Sequence, residues 1–485
     1  MQTSISRIFL FLGILIISII VGKIVTTPGQ LLPLMGLVII AFLIVSFRNP
    51  ETGLIILVYS MLLSPEITLS QLPGRTIAIR LDDFMILVLL IVWLAHMALK
   101  KDIGFFKKTP LNRPIILYVI ICILFTARAM MIGFVQPVKA TFYVLKYIEY
   151  FALYMMTVNL VKDKKFLKKL LFAGAITYVI VIIHGYVLIL QGVPRIYAPF
   201  DVDPLSKSGE CAALGGYLLV LMSVLLSLFC FTPNKKSAVT FFTLFAFSLP
   251  VMAATLSRAS FLGFAVLCVI IIIFATQRRM VVIGTLVFGL AIAPIFLQYF
   301  VDKMIQGMMQ GYSSGGSTIM SKMAALPNSV RNRVGETFAS DGSGGEAEMM
   351  GMEVRETSAL LRIENWKKGL YIWLPKQPFF GHGITGVGLV DTQIPLTIGE
   401  LGLVGLMAFL WLLWKVGKHA LYNYRSIDDW LAKSLSLGLF AALIALFFQS
   451  TAVNTFITIR IMEPFWFLTG LVMVLPEIYK DTPSE

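Results

Sequence analysis

The segment from Arg362 to Gly405 combines charged, aromatic and glycine residues in a pattern that suits chemistry at a membrane surface. It begins as an amphipathic stretch, passes through a glycine-rich turn that holds His382, and enters an apolar helix after Asp391. A carboxylate or imidazole at such a boundary can exchange protons, and an arginine can bind phosphate because its planar fork contacts two oxygens at once. The rest of the chain must supply the frame that holds this segment.

That frame consists of apolar runs of about 20 residues, the length that a helix needs to cross a bilayer. Hydrophobic residues make up 58% of the 485 positions and charged residues only 14%, which excludes an ordinary soluble protein. The sequence predicts an all-α polytopic membrane protein with about 14 transmembrane helices. The predicted spans are 6–26, 30–47, 52–66, 82–99, 114–133, 140–161, 169–191, 211–232, 237–255, 258–277, 280–300, 394–415, 434–453 and 461–478.

The spans divide the chain into three parts. Residues 1–300 hold the N-terminal transmembrane helices, and residues 394–485 hold the C-terminal ones with a short cytoplasmic tail. Between them, 301–393 forms one large external loop with a glycine- and serine-rich centre. Amphipathic helices are expected in this loop around 319–337 and 358–374.

The distribution of Lys and Arg predicts the orientation. Basic clusters fall in alternate loops, which places those loops and both termini in the cytoplasm and the 301–393 loop outside. The net charge of +14 therefore mainly reflects the basic residues of the loops that are expected on the cytoplasmic side. Nucleic-acid binding is not expected, because the basic residues are spread over membrane-edge loops and form no groove or stripe.

Charged residues inside predicted spans are costly unless they are paired or hydrated, so four of them are candidates for function. Arg258 lies in a polar break, AATLSRASFLG, and is predicted to bind phosphate; snorkelling at a helix end is the alternative. Lys146 and Glu149 are three residues apart and can neutralise each other, either as a buried structural pair or as substrate contacts. Arg128 either lines the substrate site or snorkels to the outer surface.

Two further candidates flank the glycine-rich turn. Arg362 opens an amphipathic segment with Trp366, which places the guanidinium at the level of the lipid headgroups as a second anion ligand. Asp391 is the first candidate for a general base and His382 the second. Each has a purely local alternative: Asp391 as the N-cap of the 394–415 helix, and His382 as a hydrogen-bonding residue of the turn.

No cofactor or metal is predicted. Walker and dinucleotide-binding motifs are absent from the sequence, and the cysteines have no metal-ligand spacing. Asp82 and Asp83 open a predicted helix, where carboxylates offset unpaired N–H groups, and that is the role expected of them.

Several short motifs together resemble the O-antigen ligase/polymerase superfamily. They are Arg362 followed by Trp366, PFFGHG at 378–383, Asp391–Thr392, ELGLVG at 400–405 with Glu400 at its start, and TLSRAS around Arg258. The stretches LKYIEYFALY at 145–154 and ECAALGGYLL at 210–219 also resemble this family.

The resemblance implies a membrane glycosyltransferase of the C-type architecture. Such enzymes transfer a glycan from undecaprenyl diphosphate to an acceptor at the outer face of the cytoplasmic membrane. By the same resemblance, Arg258 and Arg362 contact the diphosphate. Trp366 and Glu400 are candidates for the substrate lining, together with Arg128, Lys146 and Glu149. Asp391 stands where the ligase branch has a histidine, which favours a repeat-unit polymerase over a ligase.

The predicted function is therefore metal-independent, inverting polymerisation of undecaprenyl-diphosphate-linked oligosaccharides, as in O-antigen, capsule or exopolysaccharide synthesis. Membrane lipid is a partner, together with a chain-length regulator and a flippase of the same pathway. The alternatives are an O-antigen ligase-type transferase, a flippase or transporter of lipid-linked sugars, and a structural subunit of a polysaccharide assembly complex. A transporter would carry charges through the membrane depth and an internal repeat, whereas here the in-span charges lie towards the outer side and no repeat is visible.

Overall fold

The computed structural model describes residues 31–70, 77–99, 107–193, 195–201, 209–275, 277–289, 357–388 and 390–480. The predicted span 6–26 and the predicted amphipathic helix around 319–337 lie outside these residues.

Nearly all of the described chain is helical. The helices are α1 Leu31–Arg48, α2 Pro50–Leu63, α3 Leu81–Leu99, α4 Asn112–Ile132, α5 Pro137–Leu160, α6 Lys164–Leu190, α7 Cys211–Phe231, α8 Lys235–Ala254, α9 Arg258–Phe274, α10 Arg279–Gly289, α11 Thr357–Lys367, α12 Gln393–Ser426, α13 Trp430–Gln449 and α14 Ile459–Lys480. A π-helical segment, Lys368–Trp373, and a last turn, Leu374–Lys376, extend α11. A short 3₁₀ turn, Thr455–Ile457, precedes α14.

Eight of these helices are long and apolar enough to cross a membrane, and four shorter ones are also apolar. The chain is therefore an integral membrane protein. Every predicted span from 30–47 onwards coincides with a helix, although α10 is described only as far as Gly289. The total of 14 spans and the C-type architecture stay predictions.

Burial separates central helices from peripheral ones. The spanning window of α7 is 89% buried and that of α14 is 83% buried, against 33% for α3, α4 and α8. Helices α7 and α13 approach closely because Gly438 leaves no side chain between them; a Cβ there would lie 2.9 Å from the Val224 Cα. The peripheral helices leave leucines and isoleucines exposed, as lipid-facing helices do.

The connection between α2 and α3 contains a feature that the all-α prediction missed. Two short antiparallel strands, β1 Glu66–Ser70 and β2 Ile77–Arg80, lie between α2 and α3 and pair Glu66 opposite Arg80. The hairpin leads straight into α3, so it fixes where the first charged residues of that helix lie.

The two ends of the bundle differ in charge. At one end, Lys107 pairs with Glu477 and Lys164 with Asp429, each at 2.7 Å, so basic loops that the sequence places on one side do meet. The starts of α7, α9, α12 and α14 meet at the opposite end. We call this opposite end the site end, because it carries the predicted functional residues.

Candidate active site

A break in α12 organises the site end. Gly402 has φ 64° and ψ −167°, a conformation that interrupts the helix and frees backbone groups from their usual partners. The turn 378–383 satisfies those groups: His382 N–H donates to Gly399 O at 2.9 Å, Gly383 N–H donates to Glu400 O at 2.8 Å, and Leu403 N–H donates to Pro378 O at 2.8 Å. The glycine-rich turn and the helix break therefore form one interlocked unit.

The interlock depends on close backbone approach. A Cβ on Gly402 would lie 2.5 Å from the Phe379 carbonyl carbon, and a Cβ on Gly381 would lie 2.4 Å from that of Glu400. Both glycines have positive φ, +64° in each case. Any larger residue at either position meets both a steric and a conformational penalty.

Glu400 and His382 hold this unit from the side. Glu400 is 2% exposed, and its Oε1 accepts the Thr385 N–H at 2.8 Å. His382 is half-buried, with Nδ1 3.1 Å from Gly399 O and its ring 5.6 Å from that of Phe134. These contacts give both residues a role in shaping the turn, which is the local role considered for His382; its part in proton transfer stays a prediction.

Arg128 on α4 also binds the turn. Its Nη2 donates to Gln377 Oε1 at 3.2 Å, and its guanidinium lies 5.1 Å from the centre of the Phe380 ring. Thr126, half a turn earlier on α4, accepts the Ile384 N–H at 3.3 Å. The turn therefore packs on helix α4. Arg128, which was expected to snorkel or to line the substrate site, contacts Gln377 and Phe380 of the protein; substrate contact stays a prediction.

Asp391 is displayed at the site end by firmly held neighbours. Its side chain is exposed, and the N-cap residue of α12 is Thr392, so the expectation of an N-cap at Asp391 is wrong by one residue. Val390 O accepts a hydrogen bond from the Asn454 amide, and Gln393 N–H donates to Ser450 O at 3.1 Å. The backbone on both sides of Asp391 is thus tied to the connection between α13 and α14.

Arg258 is positioned by the same connection. It is exposed as the first residue of α9, directly after the N-cap Ser257. Gln449, the last residue of α13, donates from Nε2 to Ser260 Oγ at 2.9 Å and to Ala212 O at 3.0 Å. These bonds join the starts of α7 and α9 to the end of α13, so the backbone segments that carry Arg258 and Asp391 are both tied to residues 449–454.

The amphipathic helix α11 reaches this connection as well. Trp366 Nε1 lies 3.5 Å from Thr451 O. Arg362 is half-buried and lies one helical turn before Trp366, on the same face. The π-helical extension of α11 packs over the start of α12, where Gly369 leaves room for Pro395. The three predicted anion and base residues, Arg258, Arg362 and Asp391, therefore belong to elements that meet at the site end.

Arg460, which the sequence did not point out, binds a set of polar groups near Asp391. Arg460 at the start of α14 is 4% exposed; it donates to Pro199 O at 2.7 Å and pairs with Glu66 at 3.2 Å and Asp201 at 3.4 Å. Burial raises the pKa of the Asp201 carboxyl to about 7, although Arg460 opposes this shift.

The polar groups bound by Arg460 lead to Asp391 through Asp201 and Glu210. Asp201 Oδ2 accepts the Glu210 N–H at 3.2 Å, and the Glu210 carboxylate is an electrostatic neighbour of Asp391. Arg460 therefore fixes the loop that borders the candidate base. The signal in the sequence was an arginine inside the apolar stretch ITIRIMEPFW.

We expect Arg460→Met to lower the stability of the protein by roughly 3 kcal/mol, because it leaves the nearly buried Asp201 carboxyl and the part-exposed Glu66 without their cation. The measurement is the thermal unfolding midpoint of the purified protein, followed by tryptophan fluorescence. Lys107→Met is the matched control, since the Lys107–Glu477 pair is largely exposed and its loss is expected to cost less than about 1 kcal/mol. Equal losses in the two variants would contradict the role given to Arg460.

Lys146 and Glu149 lie in a buried cluster with residues of two other helices. They pair with each other at 3.5 Å, as their spacing predicts, and Lys146 also contacts Asp83. Asp82 and Asp83 accept N–H groups at the start of α3, as expected: Asp83 Oδ2 accepts the Arg80 N–H at 2.9 Å and Asp82 Oδ1 accepts the Asp83 N–H at 3.1 Å. Asp82 is also fully buried and pairs with Arg80 at 2.6 Å, a contact that the sequence did not predict. Substrate contact by Lys146 or Glu149 stays a prediction.

Residues 242–397 match the protein-family model described as O-antigen ligase. The match confirms the resemblance to the O-antigen ligase/polymerase superfamily. It covers about a third of the chain, including Arg258, Arg362, His382 and Asp391. No curated protein matches the chain. The match indicates a membrane glycan transferase of the O-antigen ligase/polymerase type.

Proposed function

We propose that the chain is a repeat-unit polymerase that joins undecaprenyl-diphosphate-linked oligosaccharides at the external face of the cytoplasmic membrane. The observation that carries this proposal is that the neighbours of exposed Arg258 and of exposed Asp391 are hydrogen-bonded to one connection, residues 449–454. Both lie within the segment that matches the O-antigen ligase model. Glycosyl transfer places negative charge on the leaving group, which a cation can stabilise, and releases a proton from the acceptor, which a carboxylate can accept.

The diphosphate leaving group needs positive charge in the transition state. As the bond between the anomeric carbon and the diphosphate oxygen breaks, negative charge develops on undecaprenyl diphosphate. Fixed cations aimed at that charge lower the barrier, and guanidinium binds phosphate oxygens in pairs. We assign this role to Arg258 and Arg362, and the transfer requires no metal in this scheme.

The acceptor hydroxyl must lose its proton as it attacks. Its oxygen forms the new bond to the anomeric carbon, and the proton passes to the Asp391 carboxylate. Direct displacement on the face opposite the diphosphate inverts the anomeric configuration. His382 is the second candidate for the base, although its hydrogen bond to Gly399 O occupies one ring nitrogen.

The remaining features of the proposal follow from the resemblance and from the charge pattern. The donor and acceptor are undecaprenyl-diphosphate-linked oligosaccharides, and a flippase and a chain-length regulator of the same pathway are the expected partners. Both termini lie in the cytoplasm, which puts the site end outside. The buried charges of Lys146 and Glu149 are paired with each other, and Lys146 also pairs with Asp83 on α3, which suits a fixed structure better than a transport path.

A ligase is the second candidate function. The description of the matching family model favours it, whereas Asp391 at the position of the ligase histidine favours the polymerase. The two functions differ in product: a polymerase yields long lipid-linked chains, and a ligase moves finished chains from the lipid to another acceptor.

The test is a strain that lacks this gene, complemented with the wild-type chain, with lipid-linked glycans resolved by size and by membrane side. The polymerase proposal expects single repeat units to accumulate at the external face of the deletion strain and long chains to return on complementation. Accumulation of long lipid-linked chains would instead identify a ligase. Single units retained at the cytoplasmic face would identify a flippase.

We expect Asp391→Asn to lower polymer formation by about 10²–10⁴-fold, because the amide cannot accept the hydroxyl proton. The measurement is the ratio of long chains to single units at equal membrane levels of each variant. Asp428→Asn is the control, since Asp428 is an exposed carboxylate at the opposite end of the bundle. Wild-type activity in Asp391→Asn would contradict the assignment of the base to Asp391.

A further inference from the structure

Four carboxylates and two basic groups form the inner carboxylate cluster, which we define as Arg80, Asp82, Asp83, Lys146, Glu149 and Glu463. Its members come from β2, α3, α5 and α14, so no single stretch of sequence contains it. Arg80, Asp82 and Glu463 are at most 1% exposed, and Lys146 is 6% exposed. The cluster therefore carries several charges in a nearly dry part of the protein.

The basic groups satisfy only part of the cluster. Arg80 Nη2 lies 2.6 Å from Asp82 Oδ2, and Arg80 Nη1 lies 3.9 Å from Glu463 Oε2. Lys146 contacts Asp83 and lies 3.5 Å from Glu149 Oε2. Four carboxylates against two basic groups leave a formal charge of −2 in surroundings where an unbalanced charge is costly.

Several carboxylate oxygens of this cluster have no donor. Within the part of the chain that the structure describes, neither oxygen of Glu463 accepts a hydrogen bond, and neither does Asp83 Oδ1 or Glu149 Oε1. Glu463 is fully buried and points at Asp82 and Asp83: one oxygen from each of the three carboxylates lies within 4.8 Å of the other two. Ionised carboxylate oxygens cannot donate to one another, so this arrangement needs an added positive species, either protons or a cation.

We propose that Asp82, Asp83 and Glu463 bind one hard divalent cation, Ca²⁺ or Mg²⁺. Both ions prefer carboxylate oxygens, and one such ion contacts three carboxylates at once. Its charge of +2 balances the formal −2 of the cluster. Arg80 and Lys146 then remain on the outer side of the ligands, as partners of the oxygens that face away from the ion.

The ion in this site links the hairpin and α3 to the start of α14. Glu463 lies one helical turn after Arg460, which binds the Pro199–Asp201 loop beside the candidate base. The ion therefore stabilises the geometry of the site end and takes no part in the transfer itself. This inference is independent of the proposed polymerase activity, because it concerns binding by the resting protein.

The test uses the full-length protein, purified in detergent without chelator and then stripped with EDTA. Its ion content before stripping is measured by mass spectrometry, and its unfolding midpoint is measured as CaCl₂ or MgCl₂ is added. We expect about one bound ion per chain before stripping and a saturable rise of the midpoint by a few degrees on adding it back. The ion that acts at the lower concentration is the preferred one.

Glu463→Gln and Asp83→Asn are expected to lose both the bound ion and the rise in midpoint. Glu477→Gln is the matched control, because it removes a half-exposed carboxylate from the other end of the same helix, and it should behave as wild type. If Glu463→Gln does not fold, the proposal is tested by Asp83→Asn and by the ion content of the wild-type protein. Absence of the ion from wild type, binding that persists in Asp83→Asn, or stabilisation by acid alone would overturn the proposal; the last result would identify bound protons.

Discussion

Arg258→Ala is expected to lower polymer formation by about 10²–10³-fold, the size of effect seen when one fixed group that stabilises transition-state charge is removed. Arg258 is exposed at the first residue of α9, while Gln449 bonds Ser260 and the Ser260 hydroxyl in turn donates to Ser257 Oγ. The hydrogen bonds of Ser257 and Ser260 hold the start of α9 and do not involve the Arg258 side chain. The measurement is the size distribution of lipid-linked glycans in the complemented deletion strain.

The chain provides a closely matched control for this prediction. Arg279 is also an exposed arginine at the first residue of an apolar helix, α10, but it lies at the opposite end of the bundle. Arg279→Ala should leave polymer formation close to wild type. Arg258→Lys should recover only part of the activity, because an ammonium group keeps the charge and loses the paired contact with phosphate oxygens.

Arg362→Ala tests whether the second arginine acts on the same charge. If both arginines stabilise the diphosphate, the double variant should lose less than the product of the two single losses, since each acts on a leaving group that the other already contacts. Wild-type polymer formation by Arg258→Ala, at a wild-type membrane level, would contradict the diphosphate role and favour simple snorkelling.

The helices were predictable because each signal was local. Apolar runs of about 20 residues predicted the spans, and polar or proline residues at their ends set the boundaries to within a few residues. The exception is α12, which was predicted to end at 415 and continues to Ser426. Its last turns carry Lys415, Lys418 and Arg425, so the apolar pattern ends before the helix does.

The site was predictable only in part. Short motifs pointed to Arg258, Arg362 and Asp391 separately. The residues that bond their neighbours, such as Gln449 and Asn454, belong to no recognisable motif. Their role arises from contacts between segments that lie far apart in the sequence. The same holds for the inner carboxylate cluster, where spacing revealed only the Lys146–Glu149 pair and Glu463 was not noticed.

Gly402→Ala is expected to abolish polymer formation, with a loss of at least about 10²-fold, because it removes the break in α12 that holds the glycine-rich turn. Gly402 has φ 64° and ψ −167°, a region that is essentially restricted to glycine and costs other residues roughly 1–3 kcal/mol. A Cβ there would also lie 2.5 Å from the Phe379 carbonyl group, so relief of the clash requires the turn to move away.

Displacement of the turn would break its contacts with α12 and α4. The hydrogen bonds from His382 to Gly399 O and from Gly383 to Glu400 O would be lost, and the contact of Arg128 with Phe380 would weaken. The membrane helices themselves do not depend on this turn, because their apolar faces are buried elsewhere. The expected result is therefore a protein that inserts at near wild-type levels, unfolds at a lower temperature and forms no long chains.

Gly174→Ala distinguishes this effect from a general intolerance of glycine substitution. Gly174 lies inside α6, and a Cβ added there would have no neighbouring atom within 4 Å, so alanine is expected to be neutral or to stabilise the helix by roughly 0.5–1 kcal/mol. Gly381→Ala should reproduce the loss seen in Gly402→Ala, since its Cβ would meet the Glu400 carbonyl group from the other side of the same interface. Normal polymer in both interface variants would show that the interlock of turn and helix break is not required for activity.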